Sequence, residues 1–233
     1  MAVRKSFAAL LLALALGACA ELTAERPLFS VADQGELPPL REGVWIGVGE
    51  GCPEHNARRQ RFPSDCTPLD IRRDEDGAWR VRLRVDLVND LSSRERLETE
   101  DHESNGPYRV LFVPAVERDL GLAFAPLYVG EVARLGATDS SVTYAVVAPM
   151  GEMPASEMRI AATILCEVIL RDGPIEGVTP RYITRTDEQG TEVKELDECA
   201  VSSQAAVREA ARRIVIENLG ELMQRRYVWV RAD

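Results

Sequence analysis

The sequence predicts an α+β protein: a mainly antiparallel, curved sheet, a meander or partial barrel, with one C-terminal amphipathic helix packed on it. Three observations carry this. Short β-rich runs recur between turn signals from residue 43 to residue 150. One of them, residues 78–88, alternates apolar and charged side chains with period two, the mark of a strand with one buried and one wet face. Near the C-terminus a single apolar stripe repeats at helical spacing. The 233 residues are 45% hydrophobic and 28% charged, a balance that fits a folded core rather than disorder.

The chain opens on Arg4 and Lys5, then an uninterrupted Ala/Leu/Phe run from Phe7 to Leu16. At about 1.5 Å per residue that run covers only about half of a ~30 Å hydrocarbon core, too short for a span. A basic start, a short apolar stretch and small residues after it describe a secretory signal over residues 1–18. Leu16-Gly17-Ala18-Cys19 then resembles the lipobox of Gram-negative bacterial lipoproteins. The resemblance implies cleavage before Cys19, a diacylglyceryl group on its sulfur and an acylated, palmitate-type amino terminus. Ala20 stands where Asp would imply inner-membrane retention. The implied location is therefore the inner leaflet of the outer membrane, facing the periplasm. Several acyl chains at ~0.8 kcal/mol per buried CH₂ make a permanent anchor.

Residues 19–40 read as the lipidated cysteine and a tether, since "AELTAERPLFSVADQGELPPL" has three prolines and no sustained period. Its "RPLF" is the part suited to docking on the domain. Residues 41–233 read as one periplasmic domain. "LFSVADQGELPPLREGVW", with a Cys-bounded loop and a later Cys–helix unit, resembles small lipoproteins of alphaproteobacterial type, a group that carries no activity to transfer.

Four cysteines remain after Cys19: Cys52, Cys66, Cys166 and Cys199. An even number in an oxidising compartment implies two disulfides. Three connectivities exist; Cys52–Cys66 and Cys166–Cys199 close local loops and are expected here. Cys52-Pro53-Glu54-His55 followed by Cys66 has an alternative reading as part of a metal site, although a fourth ligand is not in view.

Within the domain, "GVWIGV" at 43–48 reads as the first strand. "RDEDGA" is a turn, so a hairpin from about Leu69 leads into 78–88. There Trp79, Val81, Leu83, Val85 and Leu87 alternate with Arg80, Arg82, Arg84 and Asp86. The arginine row is expected to pair with neighbouring acids rather than to bind an anion. Residues 90–108 are polar, with room for a short helix; Glu98, Glu100, Asp101, His102 and Glu103 lack the order of a calcium loop. Residues 108–116, 122–132 and 141–150 read as three more strands, with Pro114, Pro126 and Pro149 at ends or bulges. Residues 158–170 are mostly apolar and mix helix-favouring Ala and Met with β-branched Ile164, Val168 and Ile169; they are assigned to strand. Residues 181–196 form an exposed hairpin. Ser202 or Ser203 caps a helix whose stripe runs through Val207, Ala210, Ala211, Ile214, Val215, Leu219, Leu222 and Met223. "RYVWVR" at 226–231 closes the sheet.

The formal charge is −10 and becomes more negative once Arg4 and Lys5 are removed. This argues against nucleic acid and against anionic lipid surfaces as partners. No nucleophile elbow, phosphate-cradling glycine loop, zinc-protease helix or Cys-x-x-Cys redox unit is present. "GVGEG" at 47–51 leads into Cys52-Pro53 rather than a helix, so it is no phosphate cradle. The two histidines, His55 and His102, lie in polar loops. No catalytic residue and no cofactor are assigned. The expectation is a non-catalytic binding or structural lipoprotein of the cell envelope, held to the membrane and facing a protein or peptidoglycan partner. The alternatives are a carrier of an apolar ligand in a barrel-like sheet, and an enzyme with an unrecognised site.

Overall fold

The computed structural model describes residues 20–35, 40–49, 51–90, 93, 107–115, 127–136, 141–150, 154–186, 191–222 and 226–232. The signal segment and Cys19 lie outside the described residues, as do His102 and the acidic run around it.

Eight strands close on themselves. They are β2 (Gly43–Val48), β3 (Leu69–Arg73), β4 (Trp79–Leu83), β5 (Tyr108–Pro114), β6 (Tyr128–Arg134), β7 (Val142–Met150), β8 (Glu157–Thr163) and β11 (Arg226–Arg231). The order is β6-β5-β4-β3-β2-β11-β8-β7, and β7 pairs back onto β6 to complete the ring. All of these pairings are antiparallel. The expected curved sheet is thus a closed barrel, which removes the unpaired edges an open meander would leave. Gly43 is needed where β2 meets the end of β11. Its φ is +123°, and a Cβ there would collide with the carbonyl of Arg231.

Three further strands branch from β7. β1 (Glu21–Ala24) pairs antiparallel with the start of β7 and parallel with β10 (Glu192–Val201), which pairs with β9 (Val178–Thr186). This corrects the tether reading of 19–40. Ala20, Leu22 and Ala24 are buried, and the chain enters the fold at once. Burying a leucine side chain contributes roughly 1.5–3 kcal/mol, enough to hold so short a strand between two formed neighbours.

The apolar-to-charged alternation of 78–88 places Trp79 and Val81 inward and Arg80 and Arg82 outward. Arg80 pairs with Asp74, Arg82 with Asp70 and Arg84 with Asp86. The strand stops at Leu83, earlier than expected, because Arg84 turns the chain into a 3-10 turn at Val85–Leu87. The run 158–170, read as one strand, divides. β8 ends at Thr163, and α1 (Cys166–Ile169) follows.

The C-terminal helix α2 (Gln204–Leu222) lies on the outer face of the barrel and the branch. Ser203 caps it, its hydroxyl accepting from the Ala206 amide at 3.2 Å. Val207, Ala210, Ala211 and Ile214 are buried against Leu111, Val113, Val129, Tyr144 and Val146. Side chains beyond Ile214 in the expected stripe lie outside the described residues. A separate apolar cluster fills the barrel interior, and a third lies under the loop closed by Cys52 and Cys66.

Candidate functional site

The barrel interior is lined by inward residues of successive strands: Leu69 and Ile71, Val81, Val110 and Phe112, Val132, Val147, Met158 and Tyr227. Period-two geometry aims every second residue inward, so one apolar residue in two is enough to line the barrel. The space arises where small residues meet. Gly130 and Ala145 are direct partners across β6 and β7, and Thr163 is the partner of Ala145 on β8. They leave a cavity of about 80 Å³. Phe112 borders it; a Cβ placed on Gly130 would meet the Phe112 ring at 3.5 Å, an ordinary contact.

The lining residues are mostly apolar; those that carry a hydroxyl are Thr143, Thr163, Tyr108 and Tyr227. A water occupies about 10–15 Å³ of such space and needs two to four polar partners, so an aliphatic wall disfavours filling by water. Sites for drug-sized ligands run roughly 300–1,000 Å³, so this cavity suits a narrow apolar group. Trp79, in the same cluster, is buried, and its indole Nε1 has no acceptor among the described residues. An unpaired buried donor costs about 1–3 kcal/mol.

The sequence-assigned residues lie elsewhere. Cys52 and Cys66 are joined, with Cα atoms 4.9 Å apart, and Cys166 and Cys199 are joined at 5.7 Å. The first bond consumes both thiolates that the metal alternative required and overturns it. His55 is exposed on the 3-10 turn Glu54–Arg58, with no metal-holding group of three or more His, Cys, Asp or Glu among the described residues. Asn56 is buried beneath the disulfide, its Nδ2 3.6 Å from the Cys66 sulfur.

One buried acid escaped the sequence reading. Glu131 projects from β6 to the outer side of the barrel, 2% exposed. Its Oε2 accepts from the amides of Leu28 (2.8 Å) and Phe29 (3.1 Å) and from the Tyr144 hydroxyl (3.3 Å). Burial pushes its pKa up, and these donors oppose that shift. Glu131 thereby fixes the "RPLF" segment against the barrel, and Phe29 meets Tyr144 edge-on. Glu21 on β1 is the other perturbed carboxyl, pushed up to about 7 by burial. The bonds of Glu131 go to backbone amides and a tyrosine hydroxyl of the fold itself, a structural arrangement.

Fold and cavity together define a small closed β-barrel with an apolar interior. Compared with known proteins, the chain matches no family model, no curated protein and no solved structure.

Proposed function

We propose that the protein is a non-catalytic, lipid-anchored protein of the cell envelope that holds a small apolar ligand inside its barrel. The observation that carries the ligand half is the cavity at Gly130, Ala145 and Thr163, enclosed by aliphatic and aromatic walls. Stability alone favours filling such a space. A void loses the transfer and dispersion energy of missing atoms, about 24 cal/mol per Å³ by the cavity scale. Retaining glycine, alanine and threonine at three adjoining positions fits a group that enters from outside. Its volume points to a narrow, unbranched chain end rather than a whole lipid. The anchor half rests on the lipobox-like Leu16–Cys19 and on the oxidising compartment that two disulfides require.

The ligand half is tested by purifying the protein from native envelopes, extracting it with organic solvent and identifying what is released. A stoichiometric alkyl-bearing compound is the expected result. An empty extract together with a reproducible crosslinked protein partner would replace the carrier reading with a partner-binding one. The anchor half is tested separately by Cys19→Ala, which is expected to abolish acylation and recovery with membranes. Unchanged fractionation would contradict it.

A further inference from the structure

The loop closed by Cys52 and Cys66 carries Arg58, Arg59 and Arg61 in a chain that is acidic overall. Most other described arginines have an acid beside them: Arg80 with Asp74, Arg82 with Asp70, Arg109 with Asp76, Arg181 with Glu198, Arg212 with Glu209. The guanidiniums of Arg59 and Arg61 have no ion pair or hydrogen bond among the described residues. They line an open cleft of about 880 Å³ together with Arg231 and the segment Asp86, Leu87 and Asn89. Among the described residues that line the cleft the one carboxylate, Asp86, is already engaged. Arg84 grips Asp86 with two bonds, Nε to Oδ1 at 2.7 Å and Nη2 to Oδ2 at 2.8 Å.

The cleft is also rigid. The disulfide closes the loop, and Phe62, next to Arg61, is fully buried. Its amide donates to the Leu87 carbonyl at 2.8 Å, and its carbonyl accepts from the Asn89 amide at 2.8 Å. Arg231 reaches across to the carbonyls of Arg59 and Gln60, both at 3.2 Å. The backbone that carries the two arginines is therefore held on one wall, so only their side chains remain to be ordered on binding.

We propose that this cleft is an anion site for a phosphate group. Guanidiniums pair with phosphate oxygens through two parallel N–H bonds. Two uncompensated ones beside a third match a multiply charged anion better than a single carboxylate. The cleft's size lies within the usual range for ligand sites, roughly 300–1,000 Å³, so the phosphate has room to be part of a larger molecule. The same chemistry is offered by a phospholipid headgroup and by a free phosphorylated compound.

The test uses Cys19→Ala protein without the signal residues 1–18, so that neither acylation nor the apolar run Phe7–Leu16 drives vesicle binding. It is titrated with pyrophosphate by calorimetry at low and high salt, and cosedimented with phosphatidylglycerol or phosphatidylcholine vesicles. Saturable pyrophosphate binding that weakens with salt is expected. Arg59→Ala and Arg61→Ala are each expected to weaken it roughly tenfold, the scale of one charge-assisted contact. Arg58→Ala, outside the cleft lining, should leave it nearly unchanged, and Asp86→Asn should tighten it by removing a negative charge from the lining. Equal melting temperatures establish that the exposed-arginine variants fold. Pyrophosphate-competed binding to phosphatidylglycerol vesicles alone supports a headgroup ligand; pyrophosphate binding without vesicle binding supports a soluble one. Binding to neither, or wild-type affinity in both Arg59→Ala and Arg61→Ala, overturns the site.

Discussion

The amide of Cys166 donates to the carbonyl of Ala20 at 2.8 Å. Two residues on, the Leu22 amide donates to the Ile164 carbonyl at 2.8 Å, and Leu22 lies beside Cys199 in the parallel β1–β10 pair. The Cys166–Cys199 disulfide thus joins the segments on both flanks of β1. A lipid on Cys19, as proposed, would be one residue away from a clamped strand, and the domain would stand directly on the membrane rather than on a flexible stalk.

Removing that disulfide is expected to act first on β1. Cys166→Ala with Cys199→Ala should cost about 3–4 kcal/mol, from the chain-entropy estimate for a loop of this length. Hydrogen exchange at Leu22 should accelerate more than exchange in the barrel strands. Unchanged protection at Leu22 would mean that β1 is held without the clamp.

Glu131 satisfies two backbone donors and the Tyr144 hydroxyl with one oxygen. Glu131→Ala leaves the buried Phe29 amide and Tyr144 hydroxyl, and the half-buried Leu28 amide, without this acceptor; at about 1–3 kcal/mol for each buried donor, a loss of at least about 2 kcal/mol is expected in denaturant melts. Glu131→Gln keeps an acceptor oxygen and should lose much less. Equal losses in the two variants would show that the side chain's shape, not its acceptor, docks Leu28 and Phe29.

Glu21 gives a pH dependence of opposite sign to a salt-bridged acid. Its folded pKa is about 7, against an ordinary 4.5. Below 4.5 both states hold the proton, and the group costs nothing. Between 4.5 and about 7 the unfolded chain releases its proton first, so this contribution to stability falls as pH rises. Its strand neighbour in register is another acid, Glu198, which offers no compensating charge. Glu21→Gln should raise the melting temperature at pH 8, with the gain vanishing near pH 4. A gain that is constant with pH would contradict the assignment.

Much of the barrel was legible from local patterns. Residues 43–48 and 226–231 are strands with the expected bounds, the hairpin from Leu69 is present, and the helix begins after its serine cap. Each of these carries its signal within a few residues. β1 did not. "ELTA" has one large apolar residue, and its strand state comes from β7 and β10, more than a hundred residues away. Glu131 sits in a strand at a position that reads as wet, and its burial comes with distant partners, Leu28, Phe29 and Tyr144. The cavity is a matter of register. Gly130, Ala145 and Thr163 are unremarkable singly and meaningful only as cross-strand neighbours. The two local disulfides follow from loop closure, whereas the arginine cleft needs residues 59–61, 86–89 and 231 brought together.

Entry of an apolar chain end into the barrel interior is visible by methyl NMR. Leucine, isoleucine and valine methyls are labelled, and 1-hexanol is titrated into wild-type protein and Ala145→Leu, whose added side chain fills the cavity. Saturable shifts confined to Leu69, Ile71, Val81, Val110, Val132 and Val147 are expected in the wild type, and their loss in Ala145→Leu with the fold retained. Non-saturable shifts spread over surface methyls, or identical titrations of the two proteins, would contradict it.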